Sequence, residues 1–251
     1  MSAKIKIPIL LILAMVIILS MLRLAVWQLD RAEQKQATLD QVISRASEPP
    51  APLSSLLNKI NIADHKYRNI TAKGRYLHDK SIYVDNQVVE GQVGYLVFTP
   101  FEVDGVNDVI MVNRGWLPVG ASREQLPTFT TFNGAQVLEG RLNTSPAQPP
   151  LWNENYPVAQ GNVWAYLPLS EYAFQMQLKL LPLVLELAPK QREGSDPQFK
   201  IFRPEINDQW VAKHKGYAFQ WFAMAVAFFI ACLVLLLRAN THKTTNQNYK
   251  D

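Results

Sequence analysis

The sequence predicts an α+β membrane protein, in which two transmembrane helices flank one extracytoplasmic domain rich in antiparallel strands and containing a few helices. The 251 residues are 48% hydrophobic and 18% charged, which excludes a disordered chain. Apolar runs lie near both ends, and roughly 180 residues between them suffice for one domain with a hydrophobic core. A single cysteine excludes an internal disulfide, and a net charge of +4 without a dense Lys/Arg block argues against a nucleic-acid partner.

The first apolar run extends from Ile7 to Leu22 and continues past Arg23 to Trp27. About 20 residues of helix measure about 30 Å, the thickness of the hydrocarbon core of a bilayer. Pro8 is expected in the first helical turn, where its missing N–H breaks no internal hydrogen bond. A cleaved signal peptide is the alternative, but bulky Trp27 stands where a peptidase needs a small residue, which favours an uncleaved anchor.

The second apolar run extends from Tyr217 to Leu237, contains Gln220 as its one strongly polar residue, and stops at Arg238. A run of this length without a charge predicts a transmembrane helix. The single cysteine, Cys232, lies inside this run, as expected for an exported domain that keeps no free thiol.

Two spans place both termini on the same side of the membrane. Lysines and arginines at both termini favour the cytoplasm for the ends and the periplasm for the domain between the spans. Only six residues precede the first run, which speaks against an organelle-import presequence and favours a bacterial inner membrane. The predicted segments are a cytoplasmic N-terminus (1–6), a first span (7–27), an extracytoplasmic domain (28–212), a second span with its approach segment (213–237) and a cytoplasmic tail (238–251).

The domain begins with helix-forming residues and then changes to strands. Without Gly or Pro from Trp27 to about Ser47, the first helix is expected to continue beyond the membrane until the prolines at 49 and 50 end it. A short helix is expected over Ser54–Lys59. Runs rich in Val, Ile, Tyr and Phe then predict five strands, at Tyr67–Tyr76, Ser81–Val89, Val93–Val103, Val109–Trp116 and Ala135–Leu142.

Turn residues and a second helical pattern complete the domain. Asp104-Gly105 and Asn133-Gly134 have the chemistry of tight turns. A helix is predicted over Ser170–Leu180 with Ser170 as its N-cap, followed by a short buried strand at Leu183–Leu187. The polar segment Pro189–Pro204 is expected to be a loop that returns to the membrane.

Motifs of known catalytic sites are missing from the sequence. It has no G-x-S-x-G elbow, H-E-x-x-H motif, Walker loop or dinucleotide-binding fingerprint. His65 and His78 have no partner at metal-ligand spacing, and Glu102, Asp104 and Asp108 surround a predicted turn, where solvated carboxylates are common. We therefore predict that the protein is not an enzyme.

Aromatic and basic residues recur at helical spacing where each span meets the membrane surface. On the first helix, Trp27, Arg31 and Lys35 follow each other at four-residue intervals and share one face. On the second, the i, i+3, i+4, i+7 spacing comprises His214, Tyr217, Ala218 and Trp221. One interpretation is an interfacial belt with snorkelling cations. The other is a site for a flat, apolar ligand with anionic groups, where the imidazole ligates a metal, the rings stack, and the cations meet carboxylates.

Four segments are distinctive in combination and span nearly the whole chain. They are Trp27-Gln28-x-x-Arg31-x-x-x-Lys35, then Gly91-Gln92-Val93-Gly94-Tyr95 with Thr99-Pro100-Phe101, then Val112-Asn113-Arg114-Gly115-Trp116-Leu117-Pro118, and finally His214-Lys215-Gly216-Tyr217-Ala218-Phe219-Gln220-Trp221-Phe222. In these segments the sequence resembles the Surfeit locus protein 1 family, the cytochrome c oxidase assembly factors. Ala25 departs from the family pattern, which usually has Gly two positions before the tryptophan.

The resemblance implies a membrane-bound, non-enzymatic factor that helps to mature the haem-copper oxidase. Its implied partners are the catalytic subunit of cytochrome c oxidase, the haem a synthesis machinery and membrane lipid. In bacterial relatives the family is linked to binding haem a and passing it to the catalytic subunit. The family's histidine at the mouth of the second span corresponds to His214, the candidate axial ligand. Tyr217, Trp221 and Trp27 are then expected to stack on the macrocycle, and Arg31 to meet its carboxylates.

The segment from Asn113 to Trp116 also has a structural interpretation. Gly115 followed by Trp116 near a strand end is typical of a β-bulge with an aromatic ring packed over it. Arg114 could pair with a carboxylate in the domain or bind a haem propionate.

Three classes of function stay open on the sequence. The first is an assembly factor that binds haem a, and the second is an assembly scaffold for an oxidase subunit without haem binding of its own. The third is an envelope enzyme, which needs His65, His78 or an acidic pair to be brought together by the fold.

Overall fold

A computed structural model describes residues 3–57, 62–120, 123–131, 133–145, 158–189, 199–200 and 208–247. The chain divides into two compact units, Met1–Asp40 with Ile206–Asp251, and Gln41–Glu205. Within the described residues, the first unit contains two long helices and the second a nine-stranded sheet with short helices. The predicted α+β class is confirmed.

The described elements agree closely with the predicted strands. The helices are α1 (Ala3–Ser47), α2 (Leu53–Leu57), α3 (Leu169–Met176) and α4 (Asp208–Gln247), with 3₁₀ turns at Ile62–His65 and His78–Lys80. The strands are β1 (Ala51–Pro52), β2 (Asn69–Tyr76), β3 (Ile82–Val89), β4 (Gln92–Val103), β5 (Val109–Pro118), β6 (Gln136–Asn143), β7 (Ala159–Gln160), β8 (Val163–Trp164) and β9 (Leu180–Leu187). All five strands predicted between residues 67 and 142 are confirmed, with ends that differ by at most two residues.

Helix α1 runs unbroken to Ser47, as predicted, but it begins earlier than expected. Because its first residue is Ala3, Pro8 lies in the second turn, and the prediction that Pro8 occupies the first turn is wrong. The missing N–H of Pro8 therefore removes one internal hydrogen bond. In the described part of the chain, two helical stretches are long and apolar enough to cross a membrane, Pro8–Ser47 and Asp208–Arg238. Only 6% of the most apolar window of each is buried within the protein, as expected for helices that face lipid.

The two long helices pack antiparallel along a seam with a seven-residue repeat. The seam is defined by buried residues at seven-residue spacing, which are Ala25 and Ala32 on α1 and Val211, Ala218 and Ala225 on α4. Two contacts show that the helices are antiparallel. Gln28 on α1 contacts His214 on α4, and Lys35, which comes later on α1, contacts Trp210, which comes earlier on α4. A seven-residue repeat of buried residues is the pattern of helices that pack against each other in coiled coils.

Five strands of the second unit close into a ring. Strand β2 pairs with β6, β6 with β9, β9 with β5, β5 with β4, and β4 again with β2. The β5–β9 pair is parallel and the other four are antiparallel. Strand β4 can close the ring because it is long: its end at Phe101–Val103 pairs with β2, while its beginning pairs with β3. The short edge strands β1 and β7 end the sheet on either side.

Three clusters of buried apolar residues lie in the described part of this domain, and two of them are large. One fills the ring, because every ring strand contributes buried residues to it, among them Ile70, Phe101, Ile110, Leu142 and Leu185. The other lies between the sheet and α3, and it contains the fully buried rings of Trp116, Trp164 and Tyr172. Burial of such rings provides much of the stabilisation of a domain of this size.

Tyr172 attaches α3 to the 3₁₀ turn at His78–Lys80. Its side chain is fully buried, and its hydroxyl donates a hydrogen bond to the carbonyl oxygen of Lys80. Burial, with a smaller contribution from the carboxylate of Asp79, raises the pKa of Tyr172 well above its usual range. The neutral phenol is therefore the form that the fold stabilises.

The segment around Gly115 forms the predicted bulge. The β4–β5 register shifts between the pairs Val97–Gly115 and Phe98–Asn113, which leaves Arg114 as the extra residue. Gly115 has a φ of +125°, and a Cβ atom there would lie 2.7 Å from the carbonyl oxygen of Lys200. The predicted packing of Trp116 into the core is confirmed as well.

The turn at Gly105 is confirmed, whereas the predictions around α3 need correction. Gly105 has a φ of +74° in the connection between β4 and β5. The N-cap of α3 is Pro168, which makes no side-chain capping bond, so the assignment of this role to Ser170 is wrong. The helix ends at Gln177, which adopts a left-handed conformation, and the following apolar residues join the ring as β9 from Leu180 onwards. Because β9 is mostly buried between its neighbouring strands, its apolar residues form a strand and not another turn of helix.

Parts of two predictions lie outside the described residues. They are the end of the short helix expected over Ser54–Lys59, beyond residue 57, and most of the loop expected over Pro189–Pro204. Of that loop, Phe199 and Lys200 are described, and Lys200 forms a backbone bridge with Trp116.

Candidate functional site

His214 of α4 forms a hydrogen bond with Gln28 of α1. Nδ1 of the imidazole lies 2.7 Å from Oε1 of the carboxamide, and both side chains are half-buried. A carboxamide oxygen only accepts hydrogen bonds, so the imidazole donates from Nδ1. In a neutral ring with its proton on Nδ1, the lone pair resides on Nε2, which is the atom free to ligate a metal.

Both residues lie on the seam between the long helices. Gln28 is three residues after Ala25 and four before Ala32, and His214 stands in the same relation to Val211 and Ala218. The two side chains are thus one polar pair at heptad positions of an otherwise small and apolar seam. Packing of the alanines on either side positions the imidazole relative to the carboxamide.

The predicted stripe on α1 shares one helical face, and its members have two kinds of partner. The guanidinium of Arg31 lies 5.7 Å from the ring centre of Trp27 and donates to Oε1 of Gln34 at 2.9 Å. The ammonium of Lys35 instead lies 4.9 Å from the ring centre of Trp210 on α4. Such cation–π contacts stabilise the pairing of aromatic and basic residues at a membrane surface.

The predicted stripe on α4 divides between two environments. Ala218 is buried in the seam, and Trp221, at the next heptad position, is half-buried. Tyr217 is 51% exposed, and Trp27 on the other helix is 43% exposed. These two rings therefore present accessible faces beside the seam, whereas the face of Trp221 is partly covered.

Arg114 belongs to the strand domain, and its guanidinium is enclosed by aromatic rings. The side chain is 1% exposed, and its guanidinium carbon lies 4.5 Å from the ring centre of Tyr76, 5.1 Å from that of Phe129 and 5.2 Å from that of Phe199. A planar cation stacks favourably on such rings. Binding of a propionate by Arg114 stays a prediction, and it requires the guanidinium to become accessible.

The residues that an enzyme would need do not form a catalytic cluster in the described residues. His65 and His78 lie in separate 3₁₀ turns, and no group of three or more His, Cys, Asp and Glu residues in the described part of the chain could hold a metal. The carboxylates near Gly105 have basic partners: Glu102 pairs with Arg75 at 2.7 Å and Asp108 with Lys179 at 2.8 Å.

Sequence reasoning missed Gln28 and Trp210 as members of the site. Gln28 is one position of the first sequence motif, and its spacing from Ala25 and Ala32 is that of a heptad. The same repeat of small residues on the second helix places His214 opposite it. A comparison of the seven-residue repeats of the two helices predicts the Gln28–His214 contact. The four-residue spacing used for the stripes instead selects residues on exposed faces.

Comparison with known proteins agrees with the sequence motifs. A sequence model of the SURF1 family matches residues 15–226. A SURF1-like protein of Monosiga brevicollis is 23% identical over 231 residues, which cover 88% of this chain and 85% of that protein. A SURF1-like protein of Drosophila melanogaster is 26% identical over 223 residues, which cover 81% of this chain and 70% of that protein.

A shorter match relates the chain to a yeast protein. Cytochrome oxidase assembly protein SHY1 of Saccharomyces cerevisiae is 30% identical over 94 residues, which cover 38% of this chain and 24% of the yeast protein. The family match, by contrast, includes the strand domain and the residues of both helices that form the Gln28–His214 pair. The chain therefore belongs to the SURF1 family.

Proposed function

We propose that this protein is a non-enzymatic assembly factor for haem-copper cytochrome c oxidase, and that it holds haem a at His214 before the haem is inserted into the catalytic subunit. The observation that carries the haem proposal is the hydrogen bond between Nδ1 of His214 and Oε1 of Gln28, because in the neutral imidazole donation from Nδ1 leaves Nε2 with the lone pair that an axial ligand needs. The assembly role follows from the family membership and from the name of the yeast relative. In this proposal haem a is the cargo that the protein holds and releases.

The side chains around His214 have the chemistry that this cargo requires. The exposed rings of Tyr217 and Trp27 are available to stack on a macrocycle, with Trp221 beside them. Arg31 is exposed and offers a guanidinium to a propionate. A single histidine ligand suits a carrier, because a second strong ligand would slow release. Haem a also has a long apolar tail, which lipid next to the helices accommodates.

The location that fits this role is a bacterial inner membrane, with both termini in the cytoplasm and the strand domain in the periplasm. Charge distribution supports this orientation, because Lys4, Lys6, Arg238 and Lys243 lie outside the apolar runs at the two ends. Reporter fusions to the termini and to the Gly105 turn test it. Protection of both terminal reporters and accessibility of the Gly105 reporter from the periplasm are expected, and the reverse pattern would refute the orientation.

Haem titration of the purified full-length protein tests the cargo proposal. The wild type is expected to develop a Soret band that His214→Ala loses or shifts, while the control His65→Ala in the strand domain retains it. Equal uptake with identical spectra in the wild type and His214→Ala would refute the role of His214. In that case, the scaffold role remains, and a deletion strain tests it. Normal oxidase activity in that strain, with haem normally loaded into the catalytic subunit, would refute both the haem-carrier role and the scaffold role.

A further inference from the structure

We propose that Gln28 is a positioning residue that sets the tautomer of His214, so that the imidazole carries its proton on Nδ1 and presents the lone pair of Nε2. This inference rests on the proposed function for its purpose, but its physical content, a fixed tautomer, can be measured without any cargo. It assigns a role to the glutamine that follows Trp27 in the first sequence motif.

The contact has the geometry of a good hydrogen bond. The distance of 2.7 Å between Nδ1 and Oε1 is at the short end of the usual range for nitrogen and oxygen. Both side chains are half-buried, so water competes for the bond less than it would at the surface. The carboxamide oxygen has no proton to give, which makes the imidazole the donor.

The packing around the pair limits alternative arrangements. Ala25 and Ala32 flank Gln28 on α1 and are 6% and 2% exposed, while Val211 and Ala218 flank His214 on α4 and are 4% and 5% exposed. Each member of the polar pair is thus flanked on its own helix by buried apolar residues. The carboxamide and the imidazole therefore face each other across the seam at a fixed register, as single polar pairs do in coiled coils.

The tautomer matters because an unconstrained neutral imidazole in water prefers its proton on Nε2, the atom that would have to ligate. A partner that accepts a hydrogen bond from Nδ1–H opposes this preference and orients the ring. In metal sites, loss of such a partner typically lowers metal affinity by about 10–100-fold. We expect a loss of that size for haem when Gln28 no longer accepts the hydrogen bond.

Two substitutions separate the hydrogen bond from packing. Gln28→Met keeps the length of the side chain but removes the acceptor, whereas Gln28→Glu keeps an acceptor at the same position. Gln41→Leu, at an exposed position of the same helix, is the matched control. All variants are made in the full-length protein in detergent micelles.

The deciding measurement is the nitrogen NMR spectrum of ¹⁵N-histidine-labelled protein without haem, in alkaline buffer where imidazoles are neutral. The resonance that His214→Ala removes identifies the ring. We expect a protonated Nδ1 and an unprotonated Nε2 in the wild type, Gln28→Glu and Gln41→Leu, and a shift towards protonated Nε2 in Gln28→Met. An unchanged tautomer in Gln28→Met, or a wild-type ring already protonated on Nε2, would overturn the proposal.

Haem titration of the same variants then tests the consequence for binding. Gln28→Met is expected to raise the Kd for haem by about 10–100-fold, and Gln28→Glu to stay within a few-fold of the wild type. Should Gln28→Met misfold, Gln28→Glu still decides the matter, because a change of tautomer in that variant contradicts the proposal. If the tautomers behave as expected but His214→Ala binds haem as the wild type does, the role of Gln28 stands and the haem proposal fails.

Discussion

The ion pair between Arg141 on β6 and Glu186 on β9 lies inside the strand domain and yields a strong stability prediction. Nη2 of Arg141 lies 2.9 Å from Oε2 of Glu186, and the two side chains are 9% and 2% exposed. The residues are direct partners in the register of the two strands. Asn143 donates a hydrogen bond to the other carboxylate oxygen at 2.8 Å. Removal of either charge therefore leaves the opposite charge buried.

We expect each single substitution to be costly and the double substitution to be much less so. Glu186→Gln keeps the volume but removes the carboxylate that Arg141 contacts, and Arg141→Met removes the guanidinium that Glu186 contacts. Loss of one partner of a buried pair lowers the free energy of unfolding by about 3–5 kcal/mol. The double variant removes both charges of this pair, so its loss should be smaller than that of either single variant.

Urea unfolding of the full-length protein in micelles, followed by near-ultraviolet circular dichroism, measures these differences. Arg75→Met is the control, because Arg75 pairs with Glu102 but is 71% exposed, and its stability should be close to that of the wild type. Single-variant losses below about 1 kcal/mol would show that the pair is solvated and would refute the argument. A double variant whose loss equals the sum of the single losses would do the same, because the two charges would then act independently.

Three further substitutions test other parts of the structure. Tyr172→Phe is expected to lower the free energy of unfolding by about 1 kcal/mol near neutral pH, measured by the same urea titrations. Because burial raises the pKa of this tyrosine, the stability of the wild type should fall as pH rises above about 10, and the stability of the variant should fall less steeply. Gly115 has a φ of +125°, and a Cβ atom there would lie 2.7 Å from a carbonyl oxygen, so Gly115→Ala should lower the free energy of unfolding by at least about 2 kcal/mol. Gly105→Ala, with no atom within 4 Å of the new Cβ, should lower it by less, and equal losses in the two variants would contradict the close approach at Gly115. Ala218→Leu should overpack the helix seam and lower the free energy of SDS-induced unfolding by about 1–3 kcal/mol. The control is Phe219→Leu at the neighbouring position, which is 74% exposed and should leave stability unchanged; if Ala218→Leu is as stable as this control, the packing of the seam is refuted.

Local sequence patterns were sufficient to predict the strands between residues 69 and 143. Alternating and β-branched residues mark these strands, and Gly105 marks a turn whose backbone favours glycine. The bulge at Arg114 was also predictable, because Gly followed by Trp near a strand end has few other structural uses. Each of these features depends on residues close together in the chain.

Features that depend on distant residues could not be predicted in this way. Closure of the ring requires β9 to pair with β5 and β6, and nothing in the apolar run Leu180–Leu187 specifies those partners. The N-cap of α3 was misassigned because Ser170 has a higher capping propensity than Pro168, and tertiary packing overrode it. At the candidate site, the histidine was predicted from its position at the membrane, but its glutamine partner lies 186 residues away.

Closure of the ring has a consequence for how the domain is made. Strand β9 is the last ring strand to be synthesised, yet it lies between β5 and β6, both of which emerge earlier. Until the chain has been synthesised through Leu187, the ring stays open, and the edges of β5 and β6 that pair with β9 stay unpaired. Chains truncated before this point should be sensitive to proteases, because a gap in the ring exposes its apolar interior.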